Sequence, residues 1–513
     1  MKPATVPIST VLLALFLASP LAATSVVGTG TPASCTEAAL DAAIAEANGE
    51  SGLVLFDCGA APHTLTLTTP KNLGQGVAID GGGKITLSGN DTTRIFSLFQ
   101  GSAVQIANIT LSRGSASPGG GCILAFSTSG NPSTLVLGGV TFSNCQAGEY
   151  GGAIAGNFTI LNVSDSLFQD NTATTGGGGA ISVNNSNAFF ERTRFDHNVA
   201  GLQGGAIQAW FSELTIEDSE FEDNRAMSTL DANAGGGAIL LQSAGAIVRE
   251  TDFFINSANR HGGSILLLAS ADATIEDSNF GYNFAGRSGG GIYLDASSVV
   301  RLERDSLWGN SAQNYGGAVF SRNFLEVRNA TFYFNQALIS GTAIFVEVGS
   351  LDMVSSTLVD NLHPTAPATT GQIAWSAGTT IEVHNSLIQS PETGTLAVAP
   401  SGPATFTFTV CHDQSCPAGA GNRLAVLPLF PFGFSCGGAA TELTRTIPVY
   451  DNQLTDTGDC RPGDPVTDQR GMPRPSGEGC DQGAVEFFEP CDFPLFSNGF
   501  ESGNTQHWSV TIP

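Results

Sequence analysis

Apolar residues in this chain come in short alternating runs. In Thr215-Ile216-Glu217-Asp218-Ser219-Glu220-Phe221 apolar and polar positions alternate, and similar runs occur at Thr159-Ile160-Leu161, Leu214-Thr215-Ile216, Ala273-Thr274-Ile275 and Phe324-Leu325-Glu326-Val327. Alternation at period two, punctuated by Gly and Asn, predicts strands with one buried face rather than helices. The runs also repeat. Gly-Gly-Ala-Ile stands at Gly151–Ile154, Gly178–Ile181, Gly204–Ile207 and Gly236–Ile239, with variants at Gly262–Ile265, Gly289–Ile292 and Gly316–Val319. Successive last positions are 27, 26, 32, 26, 27 and 27 residues apart. A second element, Phe-x-x-Asn, keeps step: Phe168…Asn171, Phe195…Asn198, Phe221…Asn224, Phe253…Asn256, Phe280…Asn283 and Phe332…Asn335, with Leu for Phe at Leu307…Asn310 and Leu358…Asn361.

Two columns locked at one period describe a coil. About three short strands and their corners use up one period, and coils stack like on like with a rise of roughly 4.8 Å, the ordinary strand spacing. Each Phe then lies on the next Phe. The Gly pairs serve corners where φ is positive or where a Cβ would crowd the next coil. The Asn residues suit left-handed corners, and their amides suit a ladder of hydrogen bonds along the stack.

The Gly-Gly-Ala-Ile and Phe-x-x-Asn elements resemble the polymorphic outer-membrane protein repeat, over about residues 119–361 with a looser turn at Gly371-Gln372-Ile373 and Asn385-Ser386-Leu387. The resemblance implies a right-handed parallel β-helix on a bacterial surface. Chlamydial members of that family end in a membrane β-barrel with a terminal aromatic residue. No series of long alternating strands follows residue 395 here, and the chain ends in Thr511-Ile512-Pro513, so an autotransporter is not expected.

An Ala-rich stretch, Thr36–Ala47, has helical spacing and Thr36 as N-cap, and would plug the open N-terminal edge of the coil. Near the other end, Asp468-Gln469-Arg470-Gly471-Met472-Pro473-Arg474-Pro475 followed by Cys480-Asp481-Gln482-Gly483-Ala484-Val485-Glu486 resembles the signature of bacterial β-helix proteins with a choice-of-anchor segment. The closing Gly499-Phe500-Glu501-Ser502-Gly503 and Trp508 resemble a tail found on exported proteobacterial proteins. The expected fold is therefore all-β: a right-handed parallel β-helix (solenoid) with a short N-terminal capping helix and a small Cys-containing C-terminal region. Its parts are a signal peptide (1–23), an N-terminal cap (24–75, helix about 36–47), the β-helix (76–395), the Cys-containing region (396–490) and a tail (491–513).

Composition narrows the function. Lys2, the apolar run Val11–Ala18 and the small Ala22 and Ala23 form a secretory signal pattern. No later segment is long and apolar enough to span a membrane. An exported chain meets oxidising conditions, so the 10 Cys read as disulfides rather than metal ligands. Cys35 and Cys58 would tie the capping helix to the first strand. Cys122 replaces the Ala of one corner and Cys145 follows the Asn of the next, 23 residues on, so that the two could meet across a coil boundary. Cys411, Cys416, Cys436, Cys460, Cys480 and Cys491 allow 15 pairings, and spacing does not choose among them. A net charge of −26 excludes a phosphate-backbone partner.

Glu191, Glu217, Glu276 and Glu303, each four residues before the Phe or Leu knob, predict one vertical stripe with Asp218 and Asp277 beside it and Arg192, Arg249, Arg304 and Arg328 interleaved. This stripe is the candidate ligand face, against the alternative of a solvated strand face. Neither a Gly-His-Gly nor a local carboxylate cluster with a basic residue is present; Arg260-His261-Gly262-Gly263 comes nearest but falls on a repeat corner. Insertions fall at Ser127–Pro132, Met227–Ala234 and Leu362–Thr370, and Trp210, Phe211, Tyr282, Tyr293 and Trp308 could stack on sugar rings. The expectation is a secreted or outer-surface protein of the Gram-negative envelope, non-catalytic, without cofactor or metal, binding a surface glycan or host-cell ligand in adhesion. The alternatives are a polysaccharide lyase or glycoside hydrolase of the pectate-lyase-like superfamily, and a purely structural envelope role.

Overall fold

The computed structural model describes residues 24–362, 370–389, 395–399, 401–424, 458–475 and 480–484. The signal segment 1–23, most of the insertion at 362–370, Cys436, Cys491 and the tail 491–513 lie outside the described residues. The chain is a right-handed parallel β-helix, and every pairing between its named strands is parallel, each coil on the next.

The central coils carry four strand segments, not three. In one coil these are Ile181–Asn184, Asn187–Glu191, Arg194–Asp196 and Val199–Ala200. The first belongs to a 13-stranded sheet (sheet 1), the middle two to a 28-stranded sheet with two ladders side by side (sheet 2), and the last to a nine-stranded sheet (sheet 3). One left-handed residue turns each of the four corners: Asn185 (φ 49), Arg192 (φ 47), His197 (φ 54) and Gly204 (φ 62) in this coil.

Both glycines of the repeat have a reason. The first takes positive φ at every coil, and the second touches the next coil: a Cβ on Gly205 would sit 1.9 Å from the Gly237 carbonyl oxygen. The repeated Asn has a narrower role than expected. The left-handed residue is the one before it, while the Asn itself is fully buried and builds a ladder. Asn198 Nδ2 donates to Asn224 Oδ1 at 2.9 Å and to the Phe168 carbonyl at 2.9 Å, and Asn198 N donates to the same Asn224 Oδ1 at 3.1 Å. The pattern runs from Asn171 to Asn361, which donates to Gln372 Oε1 at 2.8 Å.

Beside this ladder Phe142, Phe168, Phe195, Phe221, Phe253 and Phe280 form one column, with neighbouring rings 4.6–4.9 Å apart and within 9° of parallel. Stacking at the strand repeat buries each ring on both faces, at roughly 1.5–3 kcal/mol per side chain.

Stacking reaches beyond 76–395 on both sides. Thr24–Val27 already pairs with Leu53–Phe56, and Val410–Cys411 pairs with Arg423–Leu424. These outer coils lack both repeat elements, because parallel pairing needs backbone and an apolar inner face, not a particular motif. The helix, Glu37–Glu50, ends three residues later than expected; Thr36 Oγ1 caps it by accepting from Ala39 N at 3.2 Å. Leu40, Ala43, Ile44 and Ala47 close the coil interior.

Disulfides join Cys35 to Cys58, Cys122 to Cys145, Cys411 to Cys416 and Cys460 to Cys480. Cys122 and Cys145 lie in one coil rather than across a boundary. Cys145 occupies the ladder position itself, its amide donating to Asn171 Oδ1 at 3.0 Å, so the bridge replaces the Ala–Asn neighbours of later coils.

One coil carries a misfit. Where most other coils place Ser, Thr or Ala at the sheet 2 bend, Asp305 is fully enclosed. Burial drives its carboxyl well above the usual range, against the opposing bonds from Ser278 N (2.9 Å) and Glu303 N (3.0 Å). The folded chain therefore holds a proton that the unfolded chain has released, and stability falls as pH rises above the ordinary Asp range toward the raised value. Asp305→Ser should remove that decline. Denaturant midpoints at pH 4 and pH 8 check this: the wild type should lose more between the two than the variant, and equal losses would contradict it.

Candidate functional site

The four stripe glutamates do share one column on sheet 2. In register it reads Ser164, Glu191, Glu217, Arg249, Glu276, Glu303, Arg328. The column is a charge ladder in which an arginine follows each pair of glutamates, not a convergent site. Arg249 stands between Glu217 (3.5 Å) and Glu276 (3.0 Å), while Arg192 and Arg304 meet Glu191 and Glu303 from the adjoining corner. In that corner Arg192 also pairs with Asp165 at 2.7 Å and Arg304 with Asp277 at 2.8 Å. Among the described residues no three His, Cys, Asp or Glu side chains are grouped to hold a metal ion.

At the same bend a shallow groove of about 340 Å³ is lined by Arg192, Arg194, Asp218, Glu220, Glu250 and Asp252. Burial raises the Glu220 carboxyl above its ordinary range; Arg194 opposes this, and Glu222 and Asp196 add to it.

The C-terminal segment lies along the same sheet, further down the stack. Gln469 accepts from Thr331 Oγ1 at 2.6 Å and donates to the Asp305 carbonyl at 2.9 Å and Ser306 Oγ at 3.1 Å. Asn329 donates to the Thr467 carbonyl, Ala484 N to Thr357 Oγ1, and Gly483 N to the Asn385 carbonyl. The residues that carry the choice-of-anchor resemblance thus shape a strap. Asp468 receives Arg470 through Nε (2.8 Å) and Nη2 (2.6 Å), and Arg474 binds the Asp481 and Gly483 carbonyls. Sequence spacing alone gave no sign that Thr467 and Gln469 meet partners 138 or more residues away.

The corner between sheets 2 and 3 is chemically the most unusual surface. Most coils place a polar residue or Gly at its left-handed position: Asp170, His197, Asp223, Gly309, Asp360. Three coils place bulky apolar ones, Ile255 (φ 57), Tyr282 (φ 55) and Phe334 (φ 56). A β-branched or bulky residue at positive φ is strained by roughly 1–3 kcal/mol. All three face solvent: Ile255 is 51% exposed, Tyr282 57% and Phe334 42%, with Phe284 36% exposed beside them on sheet 3. Trp308 lies beneath Tyr282, edge-on with ring centres 4.6 Å apart, and against Phe254 at 5.9 Å. Gly281 makes that packing fit, since a Cβ there would fall 2.5 Å from the Phe254 ring and 2.9 Å from Trp308.

The other aromatic candidates separate. Tyr293 stacks on Phe320 at 4.9 Å in a small apolar cluster with Leu240 and Leu266 outside sheet 1, and Trp210 packs edge-on against Tyr150. Phe211 is exposed, but at the corner between sheets 1 and 2. Sequence reasoning missed Ile255, Phe284 and Phe334. The signal for Ile255 and Phe334 lies inside the Phe-x-x-Asn element, whose second variable position is apolar in Phe253-Phe254-Ile255-Asn256, Phe280-Gly281-Tyr282-Asn283 and Phe332-Tyr333-Phe334-Asn335.

Residues 160–332 and 226–388 match the sequence model of the right handed β-helix region. A probable autotransporter of Escherichia coli K12, YfaL, is 31% identical over 130 residues, which is 22% of this chain and 10% of that protein. The matched stretch therefore spans about a tenth of that relative's length. Among solved structures, Geobacillus virus E2 ORF18 aligns with a TM-score of 0.27 and 11% identity over 75% of this chain and 65% of that one. PfbA, a surface adhesin of Streptococcus pneumoniae, aligns with a TM-score of 0.28 and 11% identity over 84% of this chain and 99% of that one.

Proposed function

We propose that the chain is a secreted or outer-surface β-helix of the bacterial envelope that binds carbohydrate without transforming it, in adhesion or glycan capture. One observation carries this reading: Ile255, Tyr282 and Phe334 are kept apolar and exposed at a left-handed corner where neighbouring coils place Asp, His or Gly. Exposed aromatic rings on a rigid scaffold offer flat apolar faces for sugar rings, and a structural role would favour the polar residues that this backbone accepts more readily. The triple variant Ile255→Asn, Tyr282→Asn, Phe334→Asn tests it. Asn suits positive φ, so the variant should melt at or above the wild-type temperature. On a glycan array it should lose at least about tenfold in affinity, equivalent to about 1.4 kcal/mol. Unchanged glycan binding by the variant would refute the assignment.

The groove at Arg192, Arg194, Asp218, Glu220, Glu250 and Asp252 favours a second reading, a polysaccharide lyase or glycoside hydrolase, because carboxylates and basic groups meet there. Product release from a panel of polyuronates with Ca²⁺, lost in Glu220→Gln, would establish it; inactivity across the panel would remove it.

A further inference from the structure

Sheet 3 is narrow, and its far rim differs from the apolar corner. That rim carries Arg260 and Arg287 on consecutive coils, Arg287 N donating to the Arg260 carbonyl at 2.7 Å. Elsewhere the arginines of this acidic chain largely face carboxylates: Arg113 meets Asp91, Arg225 Asp223, Arg301 Glu326, Arg322 Glu347 and Arg328 Asp352. Among the described residues neither Arg260 nor Arg287 has such a partner. Arg260 Nη1 donates to the Thr229 carbonyl at 3.0 Å, which ties the rim to the inserted loop Met227–Ala234. That loop's one carboxylate, Asp231, accepts from Asn233 N at 2.8 Å instead.

The rim also holds unmet hydrogen-bonding capacity. Arg260 Nε and His261 Nδ1 are enclosed by protein and have no hydrogen-bond partner. An enclosed polar atom left unmade is unfavourable by roughly 1–3 kcal/mol, so a group that reached these two adjacent residues would be stabilised there. The His261 ring rests on Tyr293, centres 4.5 Å apart. Burial, with Arg260, Arg287 and Arg322 nearby, holds its imidazole down to about 4, so the ring is neutral at physiological pH and the positive field comes from the guanidinium groups.

We infer that Arg260, His261 and Arg287 form a site for the carboxylate or sulfate of an acidic saccharide whose ring faces rest on the apolar corner across sheet 3. The inference builds on the carbohydrate reading and adds the charge of the ligand. A guanidinium fork matches either anion through paired N–H donors, and Phe284, 36% exposed between the two rims, continues the apolar surface toward it.

The experiment uses the full chain and three probes: a glucuronate tetrasaccharide, its carboxyl-reduced neutral counterpart, and inorganic sulfate. Calorimetry at low salt should show the acidic tetrasaccharide binding at least about tenfold tighter than the neutral one. Arg287→Gln, at an exposed position, should bring the acidic probe down to the neutral level and leave the neutral probe unchanged. Sulfate alone should shift the His261 ring resonances. Equal affinity for both tetrasaccharides, with Arg287→Gln silent and His261 unmoved by sulfate, would overturn the anion site while leaving the carbohydrate reading intact. Sulfate shifts without binding of either tetrasaccharide would overturn the saccharide assignment.

Discussion

Asn256→Ala should lower the unfolding free energy by at least about 4 kcal/mol. In the wild type Asn256 Oδ1 accepts from Asn224 N at 3.0 Å and Asn224 Nδ2 at 3.0 Å, and its Nδ2 donates to the Phe221 carbonyl at 2.8 Å and Asn283 Oδ1 at 3.1 Å. Alanine leaves the Asn224 amide without its side-chain acceptor inside the coil and removes a bond from the Phe221 carbonyl, Asn224 Nδ2 and Asn283 Oδ1, the last two keeping only the Phe195 carbonyl and the residue 256 amide. Each buried group left unmade costs roughly 1–3 kcal/mol, and the losses fall on two coil boundaries at once. Because each coil touches only its neighbours, the damage should stay local in space while dividing the stack into two cooperative blocks. Native-state hydrogen exchange should show amides near Asn224 and Asn283 losing protection together, with the helix end unaffected. A loss below about 1 kcal/mol in denaturant unfolding would mean the ladder is not holding the coils.

Gly205→Ala should be worse, destabilising by more than about 4 kcal/mol or preventing folding. The added Cβ would meet backbone on two sides: the Gly237 carbonyl oxygen at 1.9 Å and Arg225 N at 2.5 Å. No rotamer change relieves a clash with backbone, so the coils must separate, and separation breaks the amide bonds that join them. Gly130→Ala is the control, since its Cβ would meet nothing within 4 Å. It should fall within about 0.5 kcal/mol of wild type. Thermal melts by circular dichroism check both, and a Gly205→Ala protein melting near wild type would contradict the close approach.

The sequence displayed the coil because its two repeat elements sit where the physics is least forgiving. Only glycine fits Gly205, and only an amide can both accept and donate at Asn198. The corners were hidden for the opposite reason: Arg192, His197 and Tyr282 all occupy left-handed positions, with no shared chemistry to read. Four segments per coil were therefore read as about three. The glutamate stripe and the arginines interleaved with it were visible as spacing, since Arg249 precedes Phe253 by the same four residues; which carboxylates each arginine meets was not. The strap was invisible, since Gln469 meets Thr331 across 138 residues. The apolar corner was half legible: Tyr282 stood out as an aromatic, whereas Ile255 gained meaning only once its positive φ was known.

In-register stacking is the claim on which the site assignments depend. Asn187, Asp272 and Thr380 lie in one exposed column of sheet 2, with Thr380 seven coils from Asn187 and four from Asp272. Genetically encoded spin labels at these sites leave the native disulfides intact and allow pairwise distances by pulsed electron resonance. At roughly 4.8 Å per coil, the Asn187–Thr380 pair should lie near ~34 Å and the Asp272–Thr380 pair near ~19 Å. Distances that did not grow with the number of intervening coils would contradict the stack, and with it the columns that place the apolar corner and the arginine rim.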